Sequence, residues 1–266
     1  MKRRIITLRY ILVALLAITL AVMAGCATKQ KTTDTTANNA ASTSAPETYT
    51  RGEVKTADEA KQLLIDGNKR YTSDQVLADD VSKAKIEELA KGQYPFATIL
   101  TCSDSRVSPE ILFDQGLGDI FIVRTAGNVV DSIATGSVEY GAEHLKTPLL
   151  VVLGHSKCGA VKATVEAVEK GQTVEGNIGA IVSKIKPSVE KAKTEGAKDA
   201  ELFTKSEDDN VEAVIADLEK SPVLKEMVEK GELKIVGAKY QVESGQVDFF
   251  EAKKETKAEP AAETKK

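Results

Sequence analysis

The stretch LLVVLGHSKCGA, residues 149–160, gives the clearest indication of the fold of this chain. Its first five residues are apolar and short enough for a buried β-strand, and Gly154 closes the run. His155 and Cys158 follow at once, and the pattern over residues 158–170 predicts a helix. A buried strand that leads through a tight turn into a helix is the repeating unit of α/β proteins.

A second apolar run is arranged in the same way. PFATILT, residues 95–101, predicts a strand, and the polar segment CSDSR, residues 102–106, follows it directly. DIFIVR, residues 119–124, predicts another strand, and residues 133–145 predict a helix that leads to the strand at residues 149–153. Strands and helices that alternate at this spacing predict a mostly parallel central sheet with right-handed crossovers, flanked by helices.

The remaining patterns predict more helices and two late strands. Helices are predicted over residues 56–71, 81–91, 178–193, 210–218 and 223–229, and strands over residues 233–240 and 245–250. Residues 196–209 are polar and charged, and we interpret them as a surface loop. The α/β domain therefore begins with additional helices at its N-terminal end.

The beginning of the chain is typical of a secretory signal. Residues 1–25 have a basic start, an apolar centre and small residues before Cys26. This cysteine resembles that of a bacterial lipobox, so we expect cleavage before Cys26 and a lipid on its thiol. An uncleaved anchor helix is the alternative, since the apolar run is about the shortest that could span a bilayer. We expect an exported protein, lipid-anchored at the bacterial cell envelope on the periplasmic or cell-surface side.

The segments beside the predicted domain lack the large apolar residues that a core needs. Residues 26–52 are rich in Thr, Ala, Ser and Asn and predict a flexible tether. Residues 252–266 are mainly Lys, Glu, Ala and Pro and predict a disordered charged tail. Residues 53–251 remain as one domain, long enough to bury a sizeable core. The formal net charge of −4 argues against nucleic acid as a partner.

Cysteine and histidine are scarce, with three Cys and two His in the chain. Cys102, His155 and Cys158 all lie in the turns that follow predicted strands. Sites in parallel α/β sheets form at the carboxyl ends of strands, so these side chains converge if the two strands are neighbours. Two thiolates and an imidazole are a ligand set typical of Zn²⁺. A disulfide between Cys102 and Cys158 is the alternative.

Asp104 and Arg106 follow Cys102 at i+2 and i+4, so in an extended backbone all three side chains would share one face. Three protein ligands and a water make a catalytic zinc site, whereas Asp104 as a fourth ligand would close it. Asp104 could instead pair with Arg106 and accept a hydrogen bond from a zinc-bound water, whose pKa falls to roughly 7. An ordinary surface ion pair is a further possibility. His144 lies in a helix pattern, and we expect it to be structural or exposed.

Taken together, the motifs resemble those of the β-class carbonic anhydrases. They are CSDSR (102–106), RTAGN (124–128), EYGAEHL (139–145), GHSKCGA (154–160) and the late IVGAKYQVESGQV (235–247). The resemblance extends over nearly all of the predicted domain. It implies the reversible hydration of carbon dioxide to bicarbonate and a proton, with one Zn²⁺ per subunit held by Cys102, His155 and Cys158.

The resemblance also implies roles that spacing alone does not suggest. Asp104 and Arg106 would be the catalytic pair. A small pocket for CO₂ would be lined by Gln93, Phe121, Ala126 and Tyr140. The protein would be a homodimer or tetramer with this pocket at the subunit interface, and residues 56–71 would form an arm across the partner.

One position departs from part of the family. Some members have a Trp three residues before the first zinc cysteine, within a bicarbonate pocket that favours the closed site. Here that residue is Ile99, and the chain contains no Trp. We therefore expect the open form, with Asp104 off the metal at neutral pH. Two other functions remain open: hydrolysis of carbonyl sulfide or carbon disulfide at the same site, and zinc binding by a surface lipoprotein without catalysis.

Overall fold

The computed structural model describes residues 53–77 and 79–251. Within this part of the chain, a five-stranded sheet lies among helices. The strands are β1 Ala97–Cys102, β2 Ile120–Thr125, β3 Leu149–His155, β4 Lys234–Tyr240 and β5 Val247–Phe250. Their order across the sheet is β2-β1-β3-β4-β5, with β5 antiparallel to β4 and all other neighbours parallel. The predicted fold class is confirmed.

The helices of the described residues include every helix that the sequence predicts. They are α1 Ala57–Thr72, α2 Lys83–Leu89, α3 Pro109–Leu112, α4 Ser132–Glu139, α5 Gly159–Lys170, α6 Gly176–Thr194, α7 Asp199–Leu218 and α8 Pro222–Glu229. A 3-10 turn, Ala126–Asn128, follows β2, and a π-helical turn, Tyr140–His144, continues α4. None of the helices in the described ranges combines the length and the apolar character needed to cross a membrane.

The surface loop predicted over residues 196–209 is wrong, because α7 covers most of that segment. The charges that suggested a loop are paired with neighbouring elements. Asp209 lies 2.9 Å from Lys191 of α6, and Glu207 lies 2.9 Å from Lys239 of β4. A polar composition is compatible with a half-buried helix when the acidic side chains meet cations on the elements that it packs against.

The central strands are continuous apolar runs because both of their faces are covered. Every residue of β1 and β3 is buried. The edge strand β2 is only partly buried, and among the described strands it pairs with β1 alone. Among the described residues, the outer edge of β2 therefore has no neighbouring strand.

The helix α1 begins at a capping box and packs closely on α3. The Thr56 hydroxyl accepts the Glu59 backbone N–H at 3.2 Å, and the Glu59 carboxylate accepts the Thr56 N–H at 3.0 Å. A Cβ added at Gly67 would lie 1.6 Å from the carbonyl oxygen of Phe113. Only glycine fits at this crossing of α1 and the end of α3.

Several predictions concern residues outside the described ranges. These are the signal peptide over residues 1–25, the tether over residues 26–52 with the lipid on Cys26, and the tail over residues 252–266. They stay predictions from the sequence.

Candidate metal centre and active site

Cys102, His155 and Cys158 converge at the carboxyl edge of the sheet. Cys102 ends β1 and His155 ends β3, and these two strands are parallel neighbours. Cys158 directly precedes α5. The candidate ligand atoms of the three buried residues all lie within 4.8 Å of one another. The fold thus creates the juxtaposition that the sequence could only suggest.

Both cysteines are free, so the disulfide alternative is not what the structure contains. The Gly127 N–H donates to the Cys102 sulfur at 3.3 Å. The N–H groups of Ala160 and Val161, at the start of α5, donate to the Cys158 sulfur. Backbone donors of this kind stabilise thiolates, the form in which cysteine binds metals.

The two thiols shift each other's pKa in opposite directions. The hydrogen bond from the Cys158 thiol lowers the pKa of Cys102, and burial opposes this effect. The same contact, together with burial, raises the pKa of Cys158. Cys102 is therefore the more acidic thiol, and a metal that binds both sulfurs must displace the proton of Cys158.

His155 has one ring nitrogen that is fixed and one that is available. Nδ1 lies 2.9 Å from the carbonyl oxygen of Ser156, which favours the tautomer with its proton on Nδ1. Nε2 is buried and has no hydrogen-bond partner among the described residues. A buried nitrogen without a partner is costly, and this one faces two sulfurs. The three residues fit a bound metal ion.

Asp104 and Arg106 form a bidentate ion pair beside the candidate ligands. Arg106 Nε donates to Asp104 Oδ1 at 2.9 Å, and Nη2 donates to Oδ2 at 2.8 Å. The Arg106 side chain, followed by its backbone N–H, holds the pKa of the Asp104 carboxyl well below its usual range, although partial burial opposes the shift. Asp104 Oδ2 lies 3.9 Å from His155 Nε2. An anionic carboxylate therefore borders the candidate ligand set.

The shared extended face predicted for residues 102–106 is wrong, because the chain turns after Asp104. The Val107 N–H donates to the Asp104 carbonyl at 3.0 Å, which closes the turn. The Arg106 backbone N–H also donates to Asp104 Oδ1 at 3.0 Å. The carboxylate and the guanidinium meet through this local turn, for which a short polar Asp is well suited.

Two arginines tie the ligand-bearing segments together. Arg124 Nε donates to the Cys102 carbonyl at 3.2 Å, and its Nη2 donates to the Asp104 carbonyl at 2.8 Å. Arg106 Nη2 donates to the Lys157 carbonyl at 3.2 Å. Arg124 thus joins β2 to the end of β1 and the segment after it, and Arg106 joins that segment to the turn after β3. The sequence did not predict these contacts.

Phe121 and Tyr140, two of the predicted pocket residues, lie together but away from the ligands of their own chain. Their ring centroids are 6.0 Å apart. Phe121 lies four residues before Thr125, which pairs with Cys102 in the sheet register. At about 3.3 Å per residue, this places Phe121 roughly 13 Å along the strand from the carboxyl edge.

The other two pocket residues are separated as well. Ala126 precedes Gly127, the residue whose N–H contacts Cys102, and so lies beside the ligand set. Gln93 is exposed and precedes β1, at the amino edge of the sheet. Within one chain, Ala126 is thus the one member of the predicted pocket that the structure places next to the candidate ligands. His144 is exposed, as the sequence suggested.

The sequence did not reveal two buried polar residues of α7 that contact the ligand-bearing segments. Glu207 Oε1 accepts the Cys158 backbone N–H at 3.1 Å. Asn210 Nδ2 donates to the Gly127 carbonyl at 2.9 Å. Their i, i+3 spacing places them on one helix face, but this signal exists only once the segment is known to be a helix.

The chain is similar to known proteins of one family. The sequence pattern of the carbonic anhydrase family matches residues 97–247. A carbonic anhydrase of Mycolicibacterium smegmatis is 40% identical over 191 residues, which is 71% of this chain and 91% of the relative. A Coccomyxa β-carbonic anhydrase structure has a TM-score of 0.58 and 28% identity, covering 73% of this chain and 87% of that one. A tetrameric β-carbonic anhydrase of Sordaria macrospora has a TM-score of 0.58 and 26% identity, covering 62% and 85%. The chain belongs to the β-class carbonic anhydrases and is a carbonate dehydratase.

Proposed function

We propose that this carbonic anhydrase binds one Zn²⁺ per subunit through Cys102, His155 and Cys158. The observation that carries the proposal is the convergence of the three ligand atoms within 4.8 Å. Zinc suits this site because it accepts thiolate and imidazole ligands, and a catalytic zinc keeps a fourth position for water or substrate. The unpartnered His155 Nε2 supports the same conclusion.

The bound ion would supply a water whose pKa is lowered to roughly 7, so that the nucleophile forms at neutral pH. The residues of the chain supply its orientation. Asp104 is anionic and can accept a hydrogen bond from the attacking water, which directs a lone pair towards the carbon of CO₂. Arg106 bonds to both Asp104 oxygens and so fixes the position of that acceptor.

We infer that Asp104 stays off the metal at neutral pH. Both of its oxygens are hydrogen-bonded to Arg106, and binding a metal would disturb this pair. Ile99, which replaces the Trp of the closed-site relatives, is fully buried in the core. A crystal structure of the zinc-loaded protein at neutral pH that showed a direct bond from Asp104 to zinc would contradict this inference.

We propose that the active unit is a homodimer, or a tetramer built from dimers, whose CO₂ pocket takes residues from both subunits. Gln93, Phe121 and Tyr140 lie away from the ligands of their own chain, which leaves them available to a partner. The surface beside β2 is apolar, with Ile133 77% exposed and Tyr140 45% exposed. Such patches commonly mark interfaces. The tetrameric state of the Sordaria macrospora relative supports this assembly.

We also propose that Cys26 carries a lipid and that the enzyme interconverts CO₂ and bicarbonate at the cell envelope. The sequence of residues 1–25 supports this location. The full-length chain and its Cys26→Ser variant would be expressed in a bacterial host and fractionated. We expect the wild type in the membrane fraction, with a mass increase from the lipid. The Cys26→Ser variant should show no such mass increase and should not be found in the membrane fraction. Recovery of unlipidated wild type from the cytosol would contradict the proposal.

The zinc assignment is tested by metal analysis together with stopped-flow CO₂ hydration. We expect the wild type to contain stoichiometric zinc and to hydrate CO₂, and the Cys158→Ala variant to lose both. Lys230→Met, which removes an exposed ion pair with Glu226, serves as the control that keeps both. A wild type that holds zinc and releases sulfide from carbonyl sulfide or carbon disulfide, but does not hydrate CO₂, would establish the alternative substrate class.

A further inference from the structure

One face of α7 contacts the backbone beside both cysteines. Glu207 Oε1 accepts the Cys158 N–H at 3.1 Å, and Asn210 Nδ2 donates to the Gly127 carbonyl at 2.9 Å. The N–H of Gly127 in turn donates to the Cys102 sulfur at 3.3 Å. Glu207 and Asn210 are 4% and 2% exposed. A single helix is thus hydrogen-bonded to the surroundings of two candidate ligands, one at the end of β1 and one directly before α5.

Lys239 of β4 holds Glu207 from its other side. Lys239 Nζ lies 2.9 Å from Glu207 Oε2 and 2.8 Å from Asp208 Oδ1, and it donates to the Thr204 carbonyl at 3.2 Å. The side chains of Lys239 and Glu207 are only 8% and 3% exposed. Buried ion pairs contribute little net stability compared with apolar residues of similar size. The ion pair between Lys239 and Glu207 instead holds the Glu207 carboxylate against the Cys158 backbone N–H.

The turn that Glu207 contacts is under local strain. Lys157, directly before Cys158, has φ +57°, a left-handed conformation that is unfavourable for a residue with a Cβ. Such a conformation persists when surrounding contacts enforce it. The hydrogen bond from the Cys158 N–H to Glu207 is one of these contacts, and it fixes the direction in which the Cys158 side chain leaves the backbone.

We propose that Glu207 and Asn210 are positioning residues for the metal ion, and that Lys239 holds Glu207 in place. This inference rests on the proposed zinc site, and it assigns to α7 and Lys239 the role of holding the metal ligands in position. Without these contacts the two cysteine sulfurs would no longer be held at the separation that a bound ion requires. The groups that orient metal ligands commonly change metal affinity by about 10- to 100-fold when they are substituted.

Asp209 provides a matched control on the same helix. Its side chain is 4% exposed and pairs with Lys191 and Lys205. None of the ion pairs that Asp209 makes within the described residues reaches a ligand-bearing segment. Asp209→Asn and Glu207→Gln therefore remove the same charge from equally buried positions on one helix. If Glu207 contributes only to stability, both variants should have similar effects on zinc affinity. If Glu207 positions the metal, only Glu207→Gln should weaken zinc binding.

The test compares the full-length wild type with Glu207→Gln, Asn210→Ala and Asp209→Asn. Zinc affinity is measured by competition with a chromophoric chelator, and the ligand geometry by thiolate-to-metal absorption after exchange with Co²⁺. We expect the Zn²⁺ Kd to rise by about 10- to 100-fold in Glu207→Gln and Asn210→Ala, with altered cobalt bands. We expect Asp209→Asn to match the wild type in both. If Glu207→Gln does not fold, the double variant Glu207→Gln/Lys239→Met takes its place, because it also removes the buried cation that would have lost the Glu207 carboxylate.

The outcomes separate this inference from the proposed function. The positioning role would be overturned if Glu207→Gln kept the zinc affinity and the cobalt spectrum of the wild type. It would also be overturned if Glu207→Gln and Asp209→Asn weakened zinc binding equally. In either case, the proposed function would still stand if the wild type binds zinc and hydrates CO₂. A wild type that binds no zinc would overturn the zinc site and the positioning role together.

Discussion

At the residue scale, the hydrogen bonds that Asp104 accepts determine what its carboxylate can do in the candidate active site. Both carboxylate oxygens accept hydrogen bonds from Arg106, and these bonds hold the pKa of Asp104 well below its usual range. The carboxylate therefore stays anionic at neutral pH and serves as a hydrogen-bond acceptor only. Its position is set by the Arg106 side chain together with the backbone N–H of the same residue.

Replacing Arg106 with Lys should separate this positioning from metal binding. An ammonium group cannot hold both Asp104 oxygens in one plane, so the acceptor moves although the local charge is kept. We expect kcat/KM for CO₂ hydration to fall by about 100-fold, the effect of misplacing a reacting group by about 1 Å. Stopped-flow assays with zinc analysis measure this, and zinc content should not change. Wild-type kcat/KM in Arg106→Lys would contradict the role given to the pair.

The candidate ligands were predictable from the sequence, but the residues that support them were not. Cys102 and His155 are scarce residue types that directly follow apolar runs, and the parallel sheet brings such positions to one edge. Glu207 and Asn210 lie 49 and 83 residues from the groups that they contact. Glutamate and asparagine are common on surfaces, so nothing in their type indicated burial.

At the scale of elements, the crossing of α1 over the end of α3 is set by Gly67. A Cβ at this position would lie 1.6 Å from the Phe113 carbonyl oxygen, and a backbone atom cannot yield as a flexible side chain can. The usual gain from replacing glycine inside a helix, about 1 kcal/mol, is therefore reversed here.

Gly67→Ala should lower the free energy of unfolding by about 1–3 kcal/mol or more, because α1 must move away from α3. Urea unfolding at a fixed zinc and protein concentration measures the change. Gln62→Ala, at an exposed position of the same helix, is the control and should change the free energy of unfolding by at most about 0.5 kcal/mol. Equal stability of the two variants would show that the crossing tolerates a side chain.

The elements differed in how well the sequence predicted them. β1 and β3 were predictable because strands that are covered on both faces must be apolar at every position. The first half of α7 was not, because its acidic residues find cationic partners on α6 and β4 that are distant in sequence. The π-helical turn after α4 was predicted only as a continuation of that helix, and its close approach to Thr98 at Gly141, where a Cβ would collide, has no sequence signal.

At the scale of the whole molecule, we expect the proposed second subunit to bind beside β2, which pairs with β1 alone among the described strands and borders an apolar surface. Ile133 is the most exposed apolar residue of this surface, at 77%. Ile133→Glu should place an unpaired charge within the proposed interface, shift the protein towards monomers and lower CO₂ hydration. Analytical ultracentrifugation with activity assays measures both effects.

Ile178→Glu is the control for this experiment. Ile178 is 63% exposed and lies on α6, which packs against α5 and α7. The control should keep the oligomeric state and the activity of the wild type. If Ile133→Glu behaves in the same way, the interface must lie elsewhere.

Removal of the metal should affect the stability of the whole domain, since the candidate ligands come from two separate segments of the chain, one at the end of β1 and one at and just after the end of β3. At free zinc about 1,000-fold above its Kd, binding stabilises the fold by about 4 kcal/mol. For a domain of this size we expect a chelator to lower the Tm by about 10 °C and to abolish activity, with both restored by zinc. Calorimetry measures the shift. The Tm of Cys158→Ala should not respond to zinc, and a response equal to that of the wild type would place the metal elsewhere.

The contact between Glu207 and Cys158 spans 49 residues, and this separation has a consequence during synthesis. At about 5–20 residues per second, a ribosome completes Cys158 roughly 3–10 s before it reaches Glu207, and Lys239 comes later still. Throughout that interval the nascent chain holds both thiols and the imidazole without the helix that contacts their surroundings. If Glu207 and Asn210 position the metal as proposed, high-affinity metal capture would be postponed until the carboxyl-terminal part of the domain has been made.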